Sequence, residues 1–363
     1  MSDILTYYIW LLLLCALLFN TLYLGYLLLK LVSYKSEAST SPLPFISVVV
    51  CIKDGKALLP KLIAALKGQQ YPDYEIILVD DGSTDGTWEW LQARQKQDRT
   101  LSIYRIEDTR PGKKEALLYG LGKAGGKWVA VTDVDCVPGM KWLDTMARQI
   151  DGARHFILGY SPYSKRKGLL NKLIRHETLL TAIQYLGWAT AGLPYMGVGR
   201  NMMYRKQWIH GELSFLRMDL SSGDDDLLIA SKGNGGNTGV CLDRESFVWS
   251  APKETWRGWW RQKARHVSTA RHYLPWQRFI LGLYGMSQIG LLLGIPALFS
   301  IYWKWVLLGF VFRYLFLGLL GRKVWRLLEG RDLLIWFPLL DMGMSALYLS
   351  LIVPGLIHRR KGW

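Results

Sequence analysis

Cysteine is scarce in this chain of 363 residues, which contains only four. They are separated by long stretches and form neither a C-x-x-C pair nor any spacing typical of metal ligands. The sequence therefore argues against a thiolate metal site and against a disulfide framework. We expect reduced, buried thiols in a protein that faces the cytosol, at Cys15, Cys51, Cys136 and Cys241.

Acidic residues are outnumbered as well: 29 of them stand against 45 lysines and arginines, which gives a net charge of +16. A basic balance suits anionic lipid surfaces and phosphorylated ligands. Nucleic-acid binding is the weaker interpretation, because the positive charge is spread along the chain and lies partly beside apolar segments. The sequence also lacks internal repeats and low-complexity tracts, and we predict no nucleic-acid partner.

Charge is missing from a long apolar stretch near the N-terminus, residues 7–31, which has none before Lys30. The stretch is long enough to cross a hydrocarbon core of ~30 Å. No basic residue precedes it and no small-x-small cleavage site follows it, so we expect a retained anchor rather than a cleaved signal peptide. Lys30 and Lys35 place its C-terminal end in the cytoplasm.

The chain becomes apolar again over residues 276–357, where about three further membrane helices are predicted. Tryptophans near the segment ends are typical of membrane interfaces. Three crossings would put the basic C-terminus outside, so the alternative is that one segment is re-entrant or interfacial. Arg313 and Asp341 lie within these segments and must face protein or water. We predict a multi-pass protein of the plasma (inner) membrane whose domain between the apolar segments is cytoplasmic.

The region between the apolar segments, residues 45–275, alternates predicted strands with predicted helices. The strand runs are "FISVVVCI", "EIILVD", "LSIYRI" and "KWVAVTD", and a helical pattern follows each of the first three. This alternation predicts an α/β domain with a mostly parallel sheet covered on both faces. In such sheets, ligands bind at the carboxyl ends of the strands.

Acidic side chains follow two of the predicted strands. Asp133 and Asp135 end a buried run and point the same way, because side chains alternate along a strand. A divalent ion such as Mg²⁺ or Mn²⁺ would relieve their repulsion, with a substrate phosphate as a further ligand. Asp80 and Asp81 end an earlier strand, where a nucleobase or ribose could supply hydrogen-bond donors to Asp80. The simpler alternative for both pairs is a turn with capping residues.

Two further polar groups lie at predicted helix starts. Lys113 and Lys114 open one helix, at a position that favours anions. The run Asp224 to Asp226 opens another, where acidic residues also suit the helix dipole without any catalytic role. Three adjacent carboxylates raise one another's pKa, so their spacing alone leaves open which of them acts as a base.

Taken together, these motifs resemble the family 2 glycosyltransferases of the GT-A fold. The matching segments run from about residue 45 to 273 and include "YPDYEIILVDDGSTDGT", "PGKKEALLYG", "TDVDCVPGMKWL", "GVGRNMMYRK", "SGDDDLL" and "RQKARH". The resemblance implies an inverting transferase that uses a nucleotide-diphosphate sugar, most often a UDP-sugar. It implies that Asp80 contacts the nucleobase and that Asp133 and Asp135 serve the ribose–diphosphate and the metal. It assigns Asp225 as the catalytic base, with Asp224 beside it.

The sequence departs from the family pattern at two places. In "QKARH", Gln262 and Arg265 match residues that close over the diphosphate, but His266 replaces a tryptophan on which an acceptor sugar stacks. The departure predicts an enzyme that adds one or few sugars, with a processive polysaccharide synthase as the alternative. In "CIKDGK", Asp54 and Gly55 replace the common Asn-Glu, and we assign Asp54 to a nucleotide contact.

The apolar segments indicate a membrane-associated acceptor, such as a lipid-linked glycan or a surface polysaccharide precursor. Two other classes compete with sugar transfer. A metal-dependent nucleotidyl or phosphoryl transferase would explain the acids and lysines but not the "GDDDL" and "QKARH" segments. A non-enzymatic membrane protein with a transferase-like domain would be expected to lose either the D-x-D pair or the catalytic base, and both are present.

Overall fold

The computed structural model describes most of the chain. The described residues are 2–36, 39–40, 42–107, 113–210, 217–218, 220, 223–267, 269–293 and 303–357, with side chains left out at 2–6, 209–210, 265–267, 348 and 351–357.

A central sheet of seven strands carries the domain, in the order β3-β2-β1-β4-β7-β6-β8. Its first four members are parallel, β7 runs antiparallel to both neighbours, and β6 and β8 are parallel. A separate antiparallel pair joins β5 and β9. The strands are β1 (Ile46–Ile52), β2 (Tyr74–Asp81), β3 (Leu101–Ile106), β4 (Trp128–Val131), β5 (Cys136–Pro138), β6 (Phe156–Leu158), β7 (Met202–Arg205), β8 (Thr238–Val240) and β9 (Val248–Ser250). The predicted mixed α/β fold with a mostly parallel sheet is confirmed.

Twelve α-helices surround and extend this sheet in the described residues. They are α1 (Ser2–Ser33), α2 (Leu59–Lys67), α3 (Thr87–Gln97), α4 (Lys114–Lys123), α5 (Trp142–Ala147), α6 (Leu169–Thr190), α7 (Gln207–His210), α8 (Asp226–Lys232), α9 (Trp256–Val267), α10 (Pro275–Leu293), α11 (Trp303–Leu327) and α12 (Phe337–Ile357). Short 3₁₀ turns cover Arg244–Ser246, Ala270–His272 and Arg331–Trp336.

The sheet is buried on both faces, which explains its continuous apolar strands. In β1, Val48 and Val50 face a core formed with α2 and α5, whereas Val49 faces a core that includes α4 and α6. Leu27 of α1 and Trp325 of α11 belong to this second core. The N-terminal and C-terminal helices are therefore packed on the α/β domain and continue its core.

Two described helices are long and apolar enough to cross a membrane: residues Tyr7–Ser33 of α1, and α11. The prediction of four such helices is therefore wrong for the described chain. The helix α10 has 19 residues, or about 28 Å at 1.5 Å per residue, and it carries the buried polar side chains Gln277 and Gln288. The predicted C-terminal membrane region, residues 276–357, includes residues 294–302, which lie outside the described residues.

All four cysteines are free, as predicted. Cys136 and Cys241 are buried, and Cys51 is half-buried. Cys15 is exposed, so the expectation of burial is wrong for this residue, which lies on the outward face of α1.

A polar network crosses the helix bundle formed by α1, α10, α11 and α12. Arg313 and Asp341 are each 0% exposed, and their Nη1 and Oδ2 atoms are 2.9 Å apart. Arg313 Nη2 also donates to Asn20 Oδ1 at 2.7 Å, and Asn20 Nδ2 donates to Ser287 Oγ at 3.0 Å. The prediction that Arg313 and Asp341 face protein is confirmed, and their pairing ties four helices together.

We expect Arg313→Met or Asp341→Leu alone to lower the free energy of unfolding by about 3–5 kcal/mol, because each leaves an uncompensated buried charge. The double variant should recover much of this loss, because it removes both charges. Thermal unfolding of the detergent-solubilised protein measures the effect. Lys304→Met, at an exposed position on α11, is the control, and single variants as stable as this control would refute the expectation.

Candidate functional site

Three segments that are distant in sequence meet at the carboxyl edge of the sheet. Those three are the end of β4, the start of α4 and the loop before α8, and they meet beside the end of β1 and the turn before β7. The small cleft between them is lined by residues that include Cys51, Lys113, Asp133, Gly199, Asp224 and Asp225. Its volume is ≈ 10 Å³, about enough for one water molecule, so these side chains lie against one another.

Lys113 is the cation at the centre of this cleft. Its Nζ lies 3.0 Å from Asp133 Oδ1 and 3.1 Å from Asp224 Oδ2. Burial disfavours its charged form, but the carboxylates of Asp133 and Asp224 outweigh burial and raise the pKa of Lys113 well above its usual value. Lys113 therefore stays an ammonium ion and joins the predicted metal-binding acid to the predicted catalytic acids.

Asp225 is held by backbone amides. Its Oδ2 accepts a hydrogen bond from the Gly199 N–H, and its Oδ1 accepts one from the Asp226 N–H at 2.8 Å. Burial, together with repulsion from Asp224 and Asp226, raises the pKa of Asp225 to about 7. A carboxylate with such a pKa can take a proton near neutral pH.

Both carboxylate oxygens of Asp226 already accept hydrogen bonds from the protein. Its Oδ2 accepts hydrogen bonds from Thr269 Oγ1 at 2.6 Å and from Tyr273 Oη at 2.9 Å. Its Oδ1 accepts the Leu227 N–H at 2.8 Å. These bonds anchor α8 to the segment that precedes α10, so the geometry favours Asp225 over Asp226 as the available base.

Asp133 and Asp135, which follow β4, are the two carboxylates whose negative charge a metal cation would offset. Burial, and then repulsion from Asp133, raises the pKa of Asp135, while Arg200 opposes the shift. The described residues contain no group of three or more histidine, cysteine or acidic side chains placed to hold a metal. Two carboxylates nevertheless fit Mg²⁺ or Mn²⁺ if substrate phosphates supply further ligands, which is how Mg²⁺ is usually bound.

Arg200 and Tyr163 are site residues to which the sequence interpretation gave no role. The Arg200 guanidinium lies 4.5 Å from the centre of the Tyr163 ring and donates to Ser250 Oγ at 3.0 Å. Gln262 Nε2 donates to Tyr163 Oη at 3.1 Å, which places the start of the "QKARH" segment next to this pair. The signal in the sequence that could have identified Arg200 was the matching segment "GVGRNMMYRK", which contains it. The side chains of Arg265 and His266 lie outside the described residues.

Asp80 is a buried carboxylate, 0% exposed. Neither of its oxygens has a hydrogen-bond partner in the described part of the chain, and Arg105 Nε lies 3.4 Å from Oδ2. Burial raises its pKa. A buried carboxylate with one long ion pair is poorly satisfied, so Asp80 suits a ligand that brings N–H or O–H groups. The carbonyl oxygen of the adjacent Asp81 accepts from Lys53 Nζ at 2.8 Å.

Asp54 and Lys114, which are predicted to contact the nucleotide, form hydrogen bonds within the protein. Asp54 has a left-handed backbone (φ +48°). Its Oδ1 accepts the Thr84 N–H at 2.8 Å, and this bond joins the loop after β1 to the loop after β2. Lys114 is buried and donates to the Arg217 carbonyl at 2.9 Å. Their roles toward a nucleotide stay predictions.

Residues 47–211 match the family described as "Glycosyl transferase family 2". Glycosyltransferase AglE of Haloferax volcanii is 34% identical over 122 residues, which are 33% of this chain and 40% of the relative. A Campylobacter jejuni protein named GalNAc(5)-diNAcBac-PP-undecaprenol beta-1,3-glucosyltransferase is 32% identical over 93 residues, 26% of this chain and 30% of the relative. The chain thus spans less than half the length of both relatives.

A solved structure extends the likeness to nearly the whole chain. The mannosyltransferase PcManGT from Pyrobaculum calidifontis, in complex with GDP-Man and Mn²⁺, has a TM-score of 0.65 and 18% identity, and the match covers 97% of this chain and 99% of that one. At this identity, the likeness shows the fold. Residues 47–211 thus match the family 2 glycosyltransferases, and the resemblance drawn from the sequence motifs is confirmed.

We expect the sugar-transfer rate, kcat/KM, to rise with pH and level off above about 7, because Asp225 accepts a proton only when ionised. Asp225→Asn should lower turnover by ~10²–10⁴ while leaving nucleotide-sugar binding in place. Initial rates between pH 5.5 and 8.5, with binding measured by calorimetry, test both statements.

Asp224→Asn is the matched control for this experiment, because it alters a neighbouring carboxylate that is paired with Lys113. If Asp225→Asn transfers sugar at nearly the normal rate while Asp224→Asn is inactive, the base is Asp224. A flat pH profile for the unmodified protein would also contradict the assignment.

Proposed function

We propose that this chain is an inverting, metal-dependent glycosyltransferase of the membrane. It would transfer a sugar from a nucleotide-diphosphate sugar to a membrane-associated acceptor, such as a lipid-linked glycan or a surface polysaccharide precursor. The observation that carries the proposal is the position of Asp225. A carboxylate with a pKa of about 7 stands beside an ammonium ion that is held between Asp133 and Asp224.

The mechanism follows from what these groups can do. An acceptor hydroxyl is a poor nucleophile, and Asp225 would remove its proton as the oxygen attacks the anomeric carbon. Attack from the face opposite the leaving diphosphate inverts the configuration. The Gly199 N–H orients the Asp225 carboxylate. The Lys113 ammonium would stabilise the negative charge that develops on the departing nucleotide diphosphate.

Asp133 and Asp135 would hold Mg²⁺ or Mn²⁺, which, when bound, neutralises diphosphate charge. Asp80 would contact the nucleobase through its buried carboxylate oxygens. The identity of the nucleobase is a separate question. The resemblance predicts a UDP-sugar donor, and a GDP-sugar is the alternative, since the similar mannosyltransferase was solved with GDP-Man.

The acceptor class is supported by the relatives and by the helices. The Campylobacter jejuni relative is named for an undecaprenol-linked substrate. In this chain, α1 and α11 expose apolar side chains such as Leu12 and Leu319. The 3₁₀ turn that follows α11 is tied to α6 by the ion pair of Arg175 with Asp332. We propose multi-pass insertion in the inner membrane with a cytoplasmic catalytic domain.

We expect EDTA to abolish transfer and added Mg²⁺ or Mn²⁺ to restore it, because the paired acids need a cation to accept a diphosphate. Asp135→Ala should lower the rate at least ~100-fold, the scale for loss of a key electrostatic stabiliser. The assay is release of nucleotide from a panel of UDP- and GDP-sugars with membrane-extracted acceptors. Full activity in EDTA with every donor would rule out the metal.

We also expect one or few sugars to be added to each acceptor, because the replacement of tryptophan by His266 weakens an acceptor platform. Of the alternative tryptophans, Trp259 is buried and cannot serve instead, whereas Trp256 is exposed and Trp260 is half-buried. Mass spectrometry of products formed at low enzyme concentration measures the number of units. A long ladder from one acceptor would favour a processive synthase, and its loss in Trp256→Ala would identify the platform.

A further inference from the structure

A second basic site lies far along the chain from the catalytic residues, at the end of α11. Five side chains line a cavity of ≈ 390 Å³, and we call it the arginine pocket: Arg322, Arg326, Arg331, Leu334 and Ile335. The three arginines are exposed. Within the described residues, no guanidinium group of these three arginines forms a hydrogen bond or an ion pair, so the pocket carries about three uncompensated positive charges.

Asp332 and Glu329, the acidic residues nearest to the three arginines in sequence, already form ion pairs with other basic side chains. Asp332 Oδ1 lies 2.7 Å from Arg175 Nη2, and its Oδ2 lies 3.1 Å from Lys165 Nζ. Glu329 Oε1 lies 2.7 Å from Arg244 Nε. Because these bonds occupy both acids, the arginine pocket lacks a counterion from its own loop and suits an anionic ligand.

An apolar strip leads directly into the pocket. Leu315, Leu319, Arg322 and Arg326 follow at steps of four, three and four residues, which puts them on one face of α11. Leu319 is 73% exposed, and Ile335 beside the arginines is 85% exposed. The surface is thus apolar along a helix that is long enough to cross a membrane and basic where that helix ends.

We propose that the arginine pocket binds the phosphate of an anionic membrane phospholipid, with an acyl chain along the strip formed by Leu315 and Leu319. Guanidinium groups bind phosphate oxygens in pairs and are more weakly hydrated than ammonium groups. A free phosphate ion would use the arginines alone, whereas a lipid also covers the apolar strip. The bound lipid would hold the loop that Asp332 and Glu329 tie to the catalytic domain.

The test is native mass spectrometry of the full chain in a neutral detergent, titrated with dioleoyl phosphatidylglycerol or dioleoyl phosphatidylcholine. We expect one phosphatidylglycerol adduct that phosphatidylcholine does not displace. Changing Arg322, Arg326 and Arg331 together to glutamine should weaken this adduct at least tenfold, and Leu319→Ser should weaken it severalfold. Thermal unfolding checks that each variant is folded.

Two variants that each remove one positive charge distinguish a specific lipid site from general attraction to the basic surface. Arg326→Gln should weaken the adduct, whereas Arg278→Gln, at an exposed arginine near the start of α10, should not. Equal loss in both variants would overturn the proposal in favour of non-specific attraction. Displacement of the lipid by inorganic phosphate at equal concentration, or an adduct that survives the triple change, would also overturn it.

Discussion

The rest of the candidate site depends on the position of one ammonium ion. Lys113 lies at the start of α4 and bridges Asp133, which follows β4, and Asp224, which precedes α8. Without a cation, the acids that converge on this edge of the sheet would repel one another in a partly buried setting. The lysine lets these carboxylates come together before any ligand binds, and it leaves Asp225 as the neighbour with a pKa near 7.

The catalytic domain and the helical bundle form one packed body through α6. This helix is buried over most of its length, and it carries partners for both sides. Glu177 pairs with Lys263 of α9, while Arg175 pairs with Asp332 after α11. Because Leu27 of α1 packs in the same core, the apolar N-terminal helix is part of the tertiary structure as well as an anchor.

The sequence allowed the strands and the acids at their ends to be predicted, because buried parallel strands are apolar on both faces and break abruptly into polar residues. The runs that became β1 and β2 are examples. The number of crossings was overestimated, since apolar composition does not reveal polar side chains that satisfy one another inside a bundle. Gln288 illustrates this, because its amide bonds to Tyr284 and Asp341 within the packed helices.

What the sequence by itself determined is the class of fold and the residue types of the site, because periodicity, strand-end acids and motif spacing are local properties. What only the tertiary structure decided is how those residues divide their roles. Among three adjacent aspartates, Asp224 meets Lys113, Asp226 meets Thr269 and Tyr273, and Asp225 is left with backbone donors. No local pattern distinguishes them, since each partner comes from a distant part of the chain and reaches its aspartate only when the elements pack.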